Sequence, residues 1–300
     1  MKNQFLVHLF VFFAAITMHA QDFQGKATYQ SKTSSDRSLE GRQLSEEQKR
    51  RIEQRLKSSL EKSYELVFDR TASLYSEEEK LDAPSAQSGR GGFRVNFADI
   101  GEGMFYKNIQ QKIYVNQKEL FGKNFLIQDS LVPLEWKLGS ETKTIGKYTC
   151  YKATALVKID TAMQSLQNFG RNRRGGPNRS QTETTQQDST ESSTNLARRA
   201  AQKERSVTAW YAPQIPVSQG PGIYWGLPGL ILEINDGRTT ILCNKITLNP
   251  EDKMVLEAPA KGKEVSQAEY NKMLSKKMTE MRDNFRNERG GRGNGGRTRG

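Results

Sequence analysis

Asp236-Gly237 separates two apolar-rich runs, residues 230–235 and 239–248, and this arrangement constrains the fold more than any other feature. An Asp-Gly pair tolerates the positive φ that a tight hairpin turn requires, so the two runs are expected to pair as antiparallel strands. Other segments repeat with period two or are short and apolar, which places the chain among β-rich folds. Residues 23–32 read as a first strand. Tyr64, Leu66 and Phe68 alternate with Glu65, Val67 and Asp69, predicting a strand that reaches Tyr75. Residues 104–107, 112–117 and 124–128 add short strands, Trp136 sits in another, and residues 144–159 form a longer one containing Cys150. Residues 207–211 resume the sheet.

Two segments carry helical signals instead. Ser45-Glu46-Glu47-Gln48 is a capping-box pattern that opens a helix to about residue 63, with Ile52, Leu56 and Leu60 as a narrow apolar stripe. Ser266 with Glu269 opens a second, whose Tyr270, Leu274, Met278, Met281 and Phe285 recur at spacings of four and three. That stripe is expected to lie against the sheet. The fold class is therefore mainly β (α+β): a curved antiparallel sheet with one or two packed helices.

Composition divides the rest. Residues 77–92 are polar and small, as a loop is. From about 167 to 205 the chain is Arg, Gly, Gln, Ser and Thr with few large apolar residues, too little to offset ordering entropy, so a disordered insertion is expected there. Residues 286–300 form a Gly/Arg-rich tail in which regular structure should end. A single β-rich domain then occupies residues 21–285. The first twenty residues read as a secretory signal: Lys2, an apolar run over residues 5–16, and cleavage after Ala20. That run is shorter than the roughly 20 residues that cross a bilayer. The expected location is the periplasm or the outer-membrane surface.

Export limits the chemistry. His8 and His19, the two histidines, lie in the signal, so the mature chain has none for a Ser-His-Asp or Cys-His site or for a His-ligated metal. Glu77-Glu78-Glu79, Asp99 with Glu102, and Glu233 with Asp236 lack calcium-loop spacing. The methionines of the last helix read as core rather than as Cu(I) ligands. No metal and no cofactor is expected. The formal charge of +12 comes with Arg-rich stretches, six arginines falling in residues 282–300, and so describes surface attraction more than the folded core. Arg-Gly-Gly at Arg90, Arg174 and Arg289 would suggest RNA contacts in another compartment. Without interleaved aromatics in the tail, and with export, no nucleic-acid partner is expected. Gly89-Arg90-Gly91-Gly92 and Gly101-Glu102-Gly103 lack the strand and helix context of a phosphate loop, so they read as turns.

Cys150 and Cys243 are the only cysteines. In an oxidising compartment they offer a structural disulfide, worth about 4–5 kcal/mol by the chain-entropy model. The alternative is a pair of buried thiols on neighbouring strands.

The segment from Trp210 to Asp236 holds four prolines and four loop glycines, which set an extended, turn-rich path between two strands. Trp210, Tyr211, Tyr224 and Trp225 lie along it. They serve either as a recognition surface or as a rigid corner whose aromatics plug one end of the sheet.

Gly226-Leu227-Pro228-Gly229-Leu230-Ile231 within this segment resembles the signature of the GLPGLI family of exported Gram-negative envelope proteins. Matching blocks include Tyr64-Glu65-Leu66-Val67-Phe68, Gly122-Lys123-Asn124-Phe125-Leu126-Ile127, Thr149-Cys150-Tyr151-Lys152-Ala153, Ala209-Trp210-Tyr211, Ile241-Leu242-Cys243 and Pro259-Ala260-Lys261-Gly262-Lys263. The resemblance runs from about residue 23 to 281. It implies export, favours the Cys150–Cys243 bridge, and transfers no catalytic residue. The architecture expected is analogous to the half-barrel of periplasmic lipoprotein carriers. The functional expectation is a non-enzymatic binding protein for an apolar ligand or a protein segment. The alternatives are an interaction or assembly factor for an outer-membrane receptor and, less favoured, a carboxylate-based hydrolase.

Overall fold

The computed structural model describes residues 23–34, 45–78, 103–120, 122–158 and 204–290. The elements in chain order are β1 (Gln24–Thr33), α1 (Glu46–Leu60), β2 (Glu61–Asp69), β3 (Ala72–Glu77), β4 (Met104–Asn108), β5 (Ile113–Leu120) and β6 (Lys123–Ser130). Then follow β7 (Lys137–Ile145), β8 (Tyr148–Lys158), β9 (Glu204–Ala212), β10 (Leu230–Asn235), β11 (Thr239–Leu248), β12 (Lys263–Val265) and α2 (Gln267–Gly290). All twelve strands form one sheet in the order β12-β6-β5-β4-β3-β2-β1-β11-β10-β9-β8-β7. Two meanders thus meet where β1 pairs with β11. Every pairing is antiparallel except that of β12 with β6.

Curvature follows from chain length. Residues 131–136 alone connect β6 to β7, ten inter-strand gaps away. Laid flat, those gaps would span about 48 Å at ~4.8 Å each. A fully extended connection of this length reaches only about 25 Å. The sheet must curl to bring the two strands together, and it does so as an open half-barrel that does not close.

Its inner face carries Ala27 and Tyr29 of β1, Tyr64, Leu66 and Phe68 of β2, Tyr75 of β3 and Phe105 of β4, all buried. Register sets this face: Tyr29 lies opposite Tyr64, and Leu66 opposite Tyr75. Tyr64 and Tyr75 stack with centroids 4.8 Å apart. At the β6 edge, α2 lays Tyr270, Leu274 and Met278 on Leu120, Phe125 and Ile127, as its stripe predicts.

A bulge in β10, between Ile231 and Glu233, interrupts its pairing with β9. The Ile231 carbonyl there accepts a 2.7 Å hydrogen bond from the Tyr29 hydroxyl. Burial, and then the neighbouring Cys243, hold the Tyr29 phenol well above its usual pKa, so it remains a donor. Tyr29→Phe is expected to leave that carbonyl unsatisfied and to cost about 1–3 kcal/mol. Urea denaturation measures it, and an unchanged midpoint would refute the assignment.

Several sequence expectations need correction. The strand predicted through Tyr75 is a hairpin, because Asp69 Oδ1 accepts from the backbone N–H groups of Thr71 and Ala72 at 2.6 Å and turns the chain. Residues 144–159 likewise divide, at Gly146-Lys147, where Gly146 takes φ 60°. Trp136 precedes β7 rather than lying within a strand. The first helix stops at Leu60, since Glu61 already pairs with Lys32. The second continues to Gly290, past the boundary expected at 286. Both capping boxes form.

The Cys150–Cys243 bridge is not present: both residues are buried free thiols. They are not on neighbouring strands either, because β9 and β10 lie between β8 and β11. Strand order puts three inter-strand gaps between them along the curled sheet. Burial pushes the thiols up to about 11 for Cys150 and about 12 for Cys243. Thiols held this far from ionisation are poor nucleophiles. The expected signal, the insertion up to residue 203 and the final ten residues lie outside the described residues, as do Asp99 and Glu102, whereas residues 204 and 205, expected in the insertion, already belong to β9.

Candidate functional site

Residues 213–229 leave β9 and return to β10 by folding over the inner face. Ile215, Val217 and Leu227 are buried in the main core, and each such side chain stabilises docking by about 1.5–3 kcal/mol. The backbone is tied as firmly. Leu230 N–H donates to Ile215 O at 3.0 Å, Ile231 N–H to Gln219 O at 3.0 Å and Gly226 N–H to Ser218 O at 3.1 Å. Gly229 N–H donates to Leu227 O at 2.8 Å, a three-residue turn centred on Pro228, whose ring presets the needed φ. The two motif glycines serve different ends. Gly226 has φ 93°, while a Cβ on Gly229 would lie 2.4 Å from Ala212 O.

The connection before β7 meets this segment. Trp136 Nε1 donates to Trp225 O at 2.8 Å. The Trp225 ring is itself partly buried, and its Nε1 has no hydrogen-bond partner among the described residues. Tyr224 is also partly buried and packs against the core.

Beneath the segment lies a group that sequence reading missed. Lys107 of β4 is fully buried. Its Nζ donates to Gly220 O at 2.5 Å and to Gly222 O at 2.9 Å. Burial alone pulls the amine down to about 7. Beside it, Ser73 Oγ donates to Gln219 Oε1 at 2.9 Å. Gln219 Nε2 and Asn116 Oδ1 are buried without a hydrogen-bond partner among the described residues. The available signal was the alternation of β4, which puts Lys107 in register with Phe105 on the inner face.

The four aromatic candidates are therefore dispersed. Trp210 lies under Lys143, whose Nζ is 4.4 Å from the ring centroid and 2.6 Å from Glu233 Oε2. Cys150 stands opposite Lys143 in the β7–β8 register. Glu233 and Asp236, paired in sequence, have separate partners: Asp236 binds Arg205 and the turn amides of Arg238 and Thr239. Tyr211 instead turns toward Tyr151, ring centroids 6.1 Å apart. Together with Thr149, Pro213 and Gln214 these tyrosines line a groove of about 390 Å³, open to solvent, at the root of the 213–229 segment. Tyr151, 39% exposed, is the accessible ring.

Comparison with known proteins adds a partial match. Residues 136–233 fit the model of a family described as a protein of unknown function, Porph_ging. That span begins at Trp136, ends at Glu233 and includes the groove and the 213–229 segment. No curated protein matches. Two solved structures of PNGF-II, in the C2 and P21 space groups, are similar at 13% and 12% identity with TM-scores of 0.43 and 0.42. The likeness covers 84% of this chain in both cases, and 32% and 33% of theirs, so the chain spans about a third of their length.

Proposed function

We propose that this chain is an exported, non-enzymatic envelope protein that binds an extended protein segment in the groove between Tyr151 and Tyr211. The observation that carries the reading is the groove's composition and shape. An open channel with two tyrosines and flanking Thr149, Pro213 and Gln214 offers aromatic area at low entropic cost together with polar groups for a peptide backbone. A lipid or other apolar ligand would need an enclosed apolar container. The inner face that might have provided one is occupied by Ile215, Val217 and Leu227 on one side and by Tyr270, Leu274 and Met278 on the other. A protein segment is thus favoured over an apolar small molecule, and an outer-membrane receptor subunit is one partner of this kind.

A photo-crosslinking residue at Tyr151 in producing cells is expected to yield discrete protein adducts. The same residue at Leu156, exposed on the other face of β8, should yield none of them. Gln214→Arg should remove the Tyr151 adducts by filling the groove with a long charged side chain. Equal adduct patterns from positions 151 and 156 would exclude the groove.

A further inference from the structure

Lys107 is an unusual anchor. A lysine charge removed from water is costly unless a carboxylate or several strong acceptors compensate it. Here the acceptors are two backbone carbonyls, Gly220 and Gly222. In register, Lys107 is flanked by Ser73 on β3 and Tyr114 on β5, and the segment above contributes Gln219, Gly220 and Gly222. Ser73 and Gln219 are uncharged, and the Tyr114 hydroxyl donates to Gln267 Oε1. Glu77, on the same strand as Ser73, is paired with Lys62. Among the described residues, loss of hydration is the one cause of the lowered Lys107 basicity, with no contribution from a neighbouring charge. The neutral amine has two N–H groups, matching the two carbonyls that accept them.

The segment it holds has a glycine on each side of its aromatic stretch. Gly222 and Gly226 both take positive φ, 52° and 93°, on either side of Ile223, Tyr224 and Trp225. Gln219 Nε2, within the segment itself, has no hydrogen-bond partner among the described residues, a cost that lifting the segment would relieve.

We propose that Lys107 and the carbonyls of Gly220 and Gly222 form a proton-controlled latch that sets how firmly the 213–229 segment is docked on the sheet. Deprotonated, the amine satisfies both carbonyls without a buried charge. Protonated, it brings an uncompensated charge under the segment and weakens docking. Pro213 and Gln214, at the segment's root, line the groove, but the latch stands independently of what the groove binds.

The sign follows from linkage. The docked amine titrates near 7 and the released amine near its ordinary value of 10.5. Between these values the released state binds more protons, so docking strengthens as pH rises from about 7 to about 10.5. Below about 7 both states are protonated and docking is weakest but constant. Hydrogen exchange of the whole chain reads this at the amides of Gly226 and Ile231, whose acceptors are Ser218 and Gln219. After correction for the intrinsic pH dependence of exchange, protection is expected to be about thirty-fold higher at pH 8.5 than at pH 6. It should stay flat from pH 6 to 5. Lys107→Met, which keeps length and removes the titrating group, should abolish the step. A flat wild-type profile across pH 6–8.5 overturns the latch whether or not the variant folds, and so does a step that persists in Lys107→Met. Crosslinking from Tyr151 at a single pH is a separate readout, so failure of the latch and failure of the groove assignment are distinguishable.

Discussion

Gly229→Val is expected to destabilise the protein by about 3 kcal/mol or more, equivalent to a fall of roughly 10 °C in midpoint for a domain of this size. The reason is backbone contact. A Cβ at this position would lie 2.4 Å from Ala212 O, 2.6 Å from Ala212 C and 2.8 Å from Pro213 N. These atoms form the junction between β9 and the 213–229 segment, where Ile215 N–H is bonded back to Ala212 O, so they have little freedom to retreat. Gly226→Ala is the control within the same motif. Its Cβ would come no closer than 3.9 Å, to the Trp136 ring, and would suffer only the positive φ, about 1–2 kcal/mol. Urea unfolding of both variants separates the two mechanisms. Equal losses would mean that close backbone approach is not what Gly229 provides.

Phe68→Ala should be comparably severe, about 3–5 kcal/mol, because the ring is fully buried and its removal leaves a cavity. The side chain also fills space that only glycine leaves open. A Cβ on Gly25, across the β1–β2 pair, would lie 2.3 Å from Phe68 Cζ. Gly25→Ala alone is therefore expected to destabilise, and to become much milder once Phe68 is alanine. The double-mutant cycle should give a coupling of about 1–3 kcal/mol. Strict additivity would show that the Phe68 ring can move aside and that the contact is not restrictive.

The elements that were legible in the sequence are those whose determinants lie within a few residues. Ser45 with Gln48 and Ser266 with Glu269 cap their helices as read, since each pair closes a local ring of hydrogen bonds. Tyr270, Leu274 and Met278 face the sheet because helical spacing puts them on one side. Asp236-Gly237 turns between β10 and β11, with Gly237 at φ 83°. Where the reading failed, a local competitor was overlooked. Asp69 caps a turn instead of continuing a strand, and Gly146 does the same between β7 and β8. Trp136, expected within a strand, precedes β7, and its indole N–H holds the Trp225 carbonyl.

The candidate site was legible only in part. The aromatics of residues 210–225 were visible, but not that Trp210 would lie beneath Lys143 while Tyr211 alone would reach the groove. A one-residue shift along a strand reverses the face a side chain occupies, and the β10 bulge changes the β9–β10 register beside both residues. Tyr151 went unnoticed because nothing near it in sequence marks it as Tyr211's neighbour.

The hairpin at Asp236-Gly237 and the constrained passage through Gly226-Leu227-Pro228-Gly229 were determined by sequence alone, because turn chemistry and backbone φ are local properties. Tertiary structure decided what the passage rests on. Lys107 reaches Gly220 across 113 residues of chain, and Tyr29 reaches Ile231 across 202. It also decided the fate of the cysteines, which strand order places three gaps apart. Such contacts depend on how the sheet curls and which strands become neighbours, and that is a global compromise among burial, register and the short β6–β7 connection.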